Sequence, residues 1–125
     1  MSRTGRAAVL SSIAVLAACG GSTAPVGTAI NNGPTLAAEV SADPSIAFTP
    51  NTVNLLVGGS VTIDFGPVAH NVYFDNQPAG APPDITGSNA NVSKSLTFST
   101  VGTFVYDCHI HPGMHGTVVV TAPTA

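Results

Sequence analysis

The chain has 125 residues, of which 44% are hydrophobic and only 7% charged, with a formal net charge of −3. That length holds one domain plus extras, and its three basic residues argue against a nucleic-acid binder, which needs clustered Lys and Arg. Glycine and proline are plentiful and tryptophan is absent, a mixture that reads as short strands joined by tight turns rather than as a helical bundle.

Residues 1–18 are a different kind of sequence from the rest. Arg3 and Arg6 precede an apolar run from Ala7 to Ala18. A basic start followed by a short apolar stretch is a secretory signal peptide, and the run is too short to span a bilayer. Its end, Leu16-Ala17-Ala18-Cys19, resembles the lipobox of bacterial lipoproteins. That resemblance implies that Cys19 is lipid-modified and becomes the first mature residue. The expected location is therefore outside the cytoplasm, lipid-anchored to a bacterial cell envelope, in the periplasm or on the outer face of the membrane. Without residues 1–18 the chain keeps Lys94 against Glu39, Asp43, Asp64, Asp75, Asp84 and Asp107, one cation against six carboxylates. Residues 19–43 combine the acceptor cysteine with small, polar and proline-rich sequence and are predicted to be a flexible tether. The folded domain is expected over residues 44–125.

Within that domain the elements read as strands in succession. Val53 to Val57 is followed by Gly58-Gly59 and then by Ser60 to Phe65, where Val61, Ile63 and Phe65 alternate with polar residues. The alternation marks a half-buried strand, and the Gly-Gly link predicts a hairpin. Next, His70, Val72 and Phe74 share one face, so His70 sits at the edge of the core, as a core histidine or as a ligand. Residues 76–91 read as a long loop. Strands resume over Val92–Phe98 and Thr103–Cys108, where Phe104, Tyr106 and Cys108 share a face. Gly116–Thr121, nearly all β-branched, reads as a buried closing strand.

Between the last two strands lies Cys108-His109-Ile110-His111-Pro112-Gly113-Met114. A thiolate, an imidazole and a thioether at this spacing suit copper, and a His2Cys set with a weak axial Met is the donor set of a blue-copper centre. His70 can supply the second imidazole. Pro112-Gly113 supplies the turn that folds the loop back. With Cys19 used for lipidation and Cys108 as a ligand, no disulfide is expected.

His70-Asn71-Val72, the Tyr106-to-Met114 segment and the closing Gly-x-Val-Val-Val strand together resemble the cupredoxin family, and the short Cys-x2-His-x2-Met loop is close to that of amicyanin. The resemblance covers roughly Ala47 to Ala122. It implies an all-β, Greek-key β-sandwich holding one type 1 copper, with His70, Cys108 and His111 as the trigonal ligands and Met114 as the axial one. It also implies that Asn71 braces the ligand loop and that its amide hydrogen-bonds the thiolate sulfur. One departure stands out: the residue after the cysteine, often Ser or Thr in relatives, is His109. His109 is expected to face solvent, and His115 to be an exposed residue near the copper end; the alternative for both is a second, weaker metal contact or a partner-docking residue that titrates near neutral pH.

The implied function is electron transfer between redox partner proteins of unknown identity by a monomeric protein that is not an enzyme; the alternative is a periplasmic copper carrier or storage protein using the same ligands. A multicopper oxidase is rejected although Cys108-His109-Ile110 resembles its Cys-His-Ile segment, because Asp107 stands where a further histidine is needed. A binuclear copper centre needs two loop cysteines, and zinc disfavours a thioether.

Overall fold

The computed structural model describes residues 33–124, and these form eight strands. They are β1 (Thr35–Asp43), β2 (Ala47–Thr49), β3 (Thr52–Phe65), β4 (His70–Phe74), β5 (Ile85–Asn89), β6 (Val92–Thr97), β7 (Gly102–Asp107) and β8 (His115–Thr121). The strand order runs β2-β1-β3-β8-β7-β4-β5, with β6 paired to β3. The expected all-β sandwich is what forms. The signal peptide expected over residues 1–18, Cys19 and the tether as far as residue 32 lie outside the described residues.

The long strand β3 belongs to two layers at once. Its first half, Thr52 to Leu56, pairs in parallel with β8. Its second half, Ser60 to Phe65, pairs antiparallel with β6 and in parallel with β1. The predicted Gly58-Gly59 hairpin is therefore corrected: the chain does not reverse there but continues as one bent strand. Gly58 takes a φ of 86°, a left-handed conformation that costs glycine little, and this re-aims the strand between its two sets of partners. At Gly59 a Cβ would sit 2.9 Å from the carbonyl oxygens of both Leu36 and Leu56, so only glycine allows the close passage of β1. Two bonds pin the bend, from Gly58 N to Phe98 O at 2.7 Å and from Phe98 N to Gly59 O at 2.9 Å.

Two further expectations change. Residues 35–43, predicted as the end of the tether, are strand β1, in register with β3 from Ala37↔Ser60 to Ala42↔Phe65. Alanine-rich sequence carries a weak hydrophobic signal, yet Val40 and Ala42 are fully buried because β3 supplies the face they need. The predicted loop over 76–91 contains β5, paired with β4.

Alternating side chains from both layers meet in one core that contains Val40, Phe48, Leu55, Ile63, Phe65, Phe98, Phe104, Tyr106 and Val118. Each fully buried side chain of this size contributes roughly 1.5–3 kcal/mol. Aromatic rings knit the layers edge to face: Phe48 to Tyr106 at 4.8 Å and Phe74 to Phe98 at 5.9 Å between centroids. Opposite Tyr106 in the β7–β8 ladder stands Gly116, where any Cβ would overlap the Tyr106 ring. The ring can enter the core only past a glycine.

Candidate metal centre

Three elements bring the site together. His70 is the first residue of β4, Cys108 follows the last residue of β7, and His111 and Met114 lie on the loop that leads into β8. The loop is closed by Cys108 N donating to Met114 O at 3.0 Å, and its turn by Met114 N donating to His111 O at 3.2 Å. Gly113 carries the turn at a φ of 90°, a backbone conformation that side chains with a Cβ avoid.

His70, Cys108 and Met114 are exposed by 3% or less, while His111 is half-buried. Cys108 Sγ lies 3.9 Å from His70 Nδ1 and 3.7 Å from His111 Nδ1, and the two Nδ1 atoms are 3.0 Å apart. The triangle with these sides has a centre about 2.1 Å from each corner, within the roughly 2.0–2.3 Å at which imidazole nitrogen and thiolate sulfur hold a metal ion of this size. The donors thus fit an ion without moving, and the group His70, Cys108 and His111 is the metal-competent cluster among the described residues.

The other ring nitrogen of His70 settles its tautomer. Nε2 lies 3.1 Å from the backbone carbonyl of Asp43. A carbonyl only accepts, so Nε2 carries the hydrogen and Nδ1 keeps its lone pair for the site. Burial, then the neighbouring His111, pushes the His70 pKa below its ordinary value of 6.5, against an upward pull from Asp43. The ring is therefore neutral at pH 7, as a metal ligand must be.

Asn71, beside the ligand and 4% exposed, accepts a hydrogen bond on Oδ1 from the His109 backbone N–H at 2.7 Å and donates from Nδ2 to Gly87 O at 3.0 Å. The loop brace thus survives the change from Ser or Thr to His109, because it uses a main-chain hydrogen rather than a side-chain hydroxyl. The expected bond from Asn71 to the thiolate sulfur is corrected, since the side-chain amide is taken by Gly87 O and Cys108 Sγ has the two histidine Nδ1 atoms as its partners. His109 turns outward as expected. Its ring stacks on Tyr73 at 3.9 Å between centroids, with planes 5° apart, and its Nε2 is 3.3 Å from Asp107 Oδ1. His115 is exposed and sits opposite Asp107 in the ladder. Cys108 is a free cysteine.

Sequence reasoning missed two groups around His70. The Asp43 carbonyl was hidden in the supposed tether. Asn89, in a stretch that reads as loop, is 7% exposed and donates to His70 O. Nothing in its local sequence signals the role.

Residues 35–121 match the model of the family described as copper binding proteins, plastocyanin/azurin family. The chain belongs to this family. A chloroplastic plastocyanin of Physcomitrium patens is 34% identical over 89 residues, which are 63% of this chain and 53% of that protein. The match thus spans about half of that relative's length. Amicyanin from Paracoccus versutus superposes with a TM-score of 0.58 at 27% identity, over 70% of this chain and 84% of that one. The copper-containing nitrite reductase of Thermus scotoductus shares the fold alone, at 23% identity and a TM-score of 0.58, over 70% of this chain and 23% of that larger one. In this cupredoxin His70, Cys108, His111 and Met114 are arranged as a type 1 copper site.

Proposed function

We propose that this cupredoxin carries single electrons between redox partner proteins in the cell envelope, held to a membrane by a lipid on Cys19. The observation that carries the reading is the asymmetry of burial in a preformed site. His70, Cys108 and Met114 are sealed from water while His111 is partly open to solvent. A bound copper ion supplies the one-electron couple. The β-sandwich holds the donors from three elements, so they shift little between charge states, and the low-dielectric surroundings limit solvent reorganisation. The exposed edge of His111, flanked by Pro112 and the 40% exposed Ile110, is the route by which an electron reaches a partner. No substrate needs to touch the site, and an enzymatic role is not part of the reading.

A copper carrier with the same ligands has to release its ion readily, and burial of three of the four donors works against release. The test is to load the chain with Cu(II), record visible absorption and EPR, and measure electron self-exchange and Cu(I) transfer to a chelator. An intense thiolate-to-copper band that vanishes in Cys108→Ser, with fast self-exchange and slow metal loss, is the expected result. Slow self-exchange with rapid metal loss would instead make the protein a copper carrier.

A further inference from the structure

The β4–β5 ladder breaks at the ligand. His70 pairs with Asn89 and Val72 with Ile85, so Asn71 alone on β4 faces Thr86, Gly87 and Ser88 on β5. Gly87 takes a φ of 81° within this irregularity. A break of this kind leaves main-chain groups without ladder partners, and here the affected strand carries a buried metal ligand. Two asparagine side chains cross the gap in opposite directions. Asn71 Nδ2 donates to Gly87 O at 3.0 Å, and Asn89 Nδ2 donates to His70 O at 3.1 Å and to Thr86 O at 3.1 Å.

We propose that Asn89 is a positioning residue for the metal site, clamping the main chain of His70 to β5 while Asn71 clamps β5 back to β4. The residue touches no ligand donor atom. It acts by fixing the carbonyl of His70, as the Asp43 carbonyl fixes the ring, so that Nδ1 stays aimed at Cys108 and His111. Burial gives the contact its weight, because the His70 carbonyl has little water to turn to once the amide is removed. Groups that orient a metal ligand typically change metal affinity about 10–100-fold when lost.

The inference rests on the copper reading of the site, and the experiment separates the two. In the full chain, Cu(I) affinity is measured by chelator competition, and the Cu(II) EPR spectrum is recorded, for wild type, Asn89→Ala, Asn89→Ser, Asn89→Asp and a remote core variant, Phe98→Leu. The expected result is a fall of about 10–100-fold in Cu(I) affinity for Asn89→Ala, with an altered copper hyperfine pattern. Phe98→Leu should lower the unfolding temperature and leave both readouts unchanged. Should Asn89→Ala fail to fold, the other two carry the test: Ser keeps a short donor and retains more affinity than Asp, which keeps the shape without an N–H. Wild-type affinity and spectrum in Asn89→Ala overturn the clamp, as does equal affinity of the Ser and Asp variants. An equal loss in Phe98→Leu also overturns it, by making the effect one of general stability. A wild-type chain that binds no Cu(I) overturns the metal reading and the clamp together.

Discussion

The ring of His70 is tied to the main chain of Asp43, with Nε2 3.1 Å from its carbonyl oxygen. Asp43 is the last residue of β1, a parallel neighbour of β3 that also buries Val40 and Ala42. The strand at the amino-terminal side of the domain is thus a structural wall and the anchor of a ligand.

A chain that begins at Pro44 should therefore be compromised twice. Its loss of stability should exceed the roughly 1.5–3 kcal/mol that burying Val40 alone contributes, and its copper affinity should drop by about tenfold or more. The reference for both losses is a chain that begins at Gly33 and so keeps β1 whole. Thermal unfolding and copper titration of the two chains check this; equal behaviour would deny β1 any role in the site.

Acidification should weaken the metal-free protein. His70 is held below 6.5 in the folded state by burial and by His111, whereas the unfolded chain titrates near 6.5. As pH falls through 6.5 the unfolded state takes up a proton that the folded state refuses. Stability is therefore full above 6.5 and declines below it until the folded pKa is reached. Urea midpoints of the metal-free chain at pH 7.5 and 5.5 should differ, and the difference should shrink in His70→Gln. A His70→Gln variant with an undiminished difference would place the titration elsewhere.

The brace on the ligand loop depends on a main-chain hydrogen, so His109→Ser and His109→Pro should part company. Serine keeps the N–H that Asn71 Oδ1 accepts at 2.7 Å; proline removes it. Serine should leave the copper spectrum almost unchanged, while proline should weaken copper binding and cost about 1–3 kcal/mol for the unpaired buried Asn71 oxygen. Spectra and unfolding curves of both variants decide it, and a proline variant identical to serine would remove the brace from the account.

Tyr106 and Gly116 make an opposed pair of predictions. The Tyr106 hydroxyl is buried with no hydrogen-bond partner among the described residues, so Tyr106→Phe should be neutral or slightly stabilising. Gly116→Ala puts a methyl group into the Tyr106 ring and should cost about 1–3 kcal/mol by overpacking. Chemical denaturation measures both; a destabilised Tyr106→Phe would mean that the hydroxyl does have a partner.

Much of the site was legible because its chemistry is written locally. Cys108, His111 and Met114 fall within seven consecutive positions, and few metals suit that combination of sulfur and nitrogen donors. The strand faces that bury Phe104, Tyr106 and Cys108, or Val61, Ile63 and Phe65, followed from strict alternation, which needs no knowledge of the partner strand.

The features that escaped were those set by a neighbour distant in the chain. Gly58-Gly59 is as good a signal for a hairpin as for a bend, and the choice was made by β8, β6 and β1, which offer one strand partners on two layers. Residues 35–43 are too poor in large apolar side chains to declare themselves a strand, and become one only against β3. Asn89 is an ordinary loop asparagine until the irregular β4–β5 pairing sets it beside the His70 carbonyl. The amino-acid sequence by itself determined the donor set, the strand faces and the family. Only the tertiary structure decided which backbone groups hold His70 in place, because hydrogen bonds to main-chain carbonyls depend on where the chain passes and not on which side chain it carries.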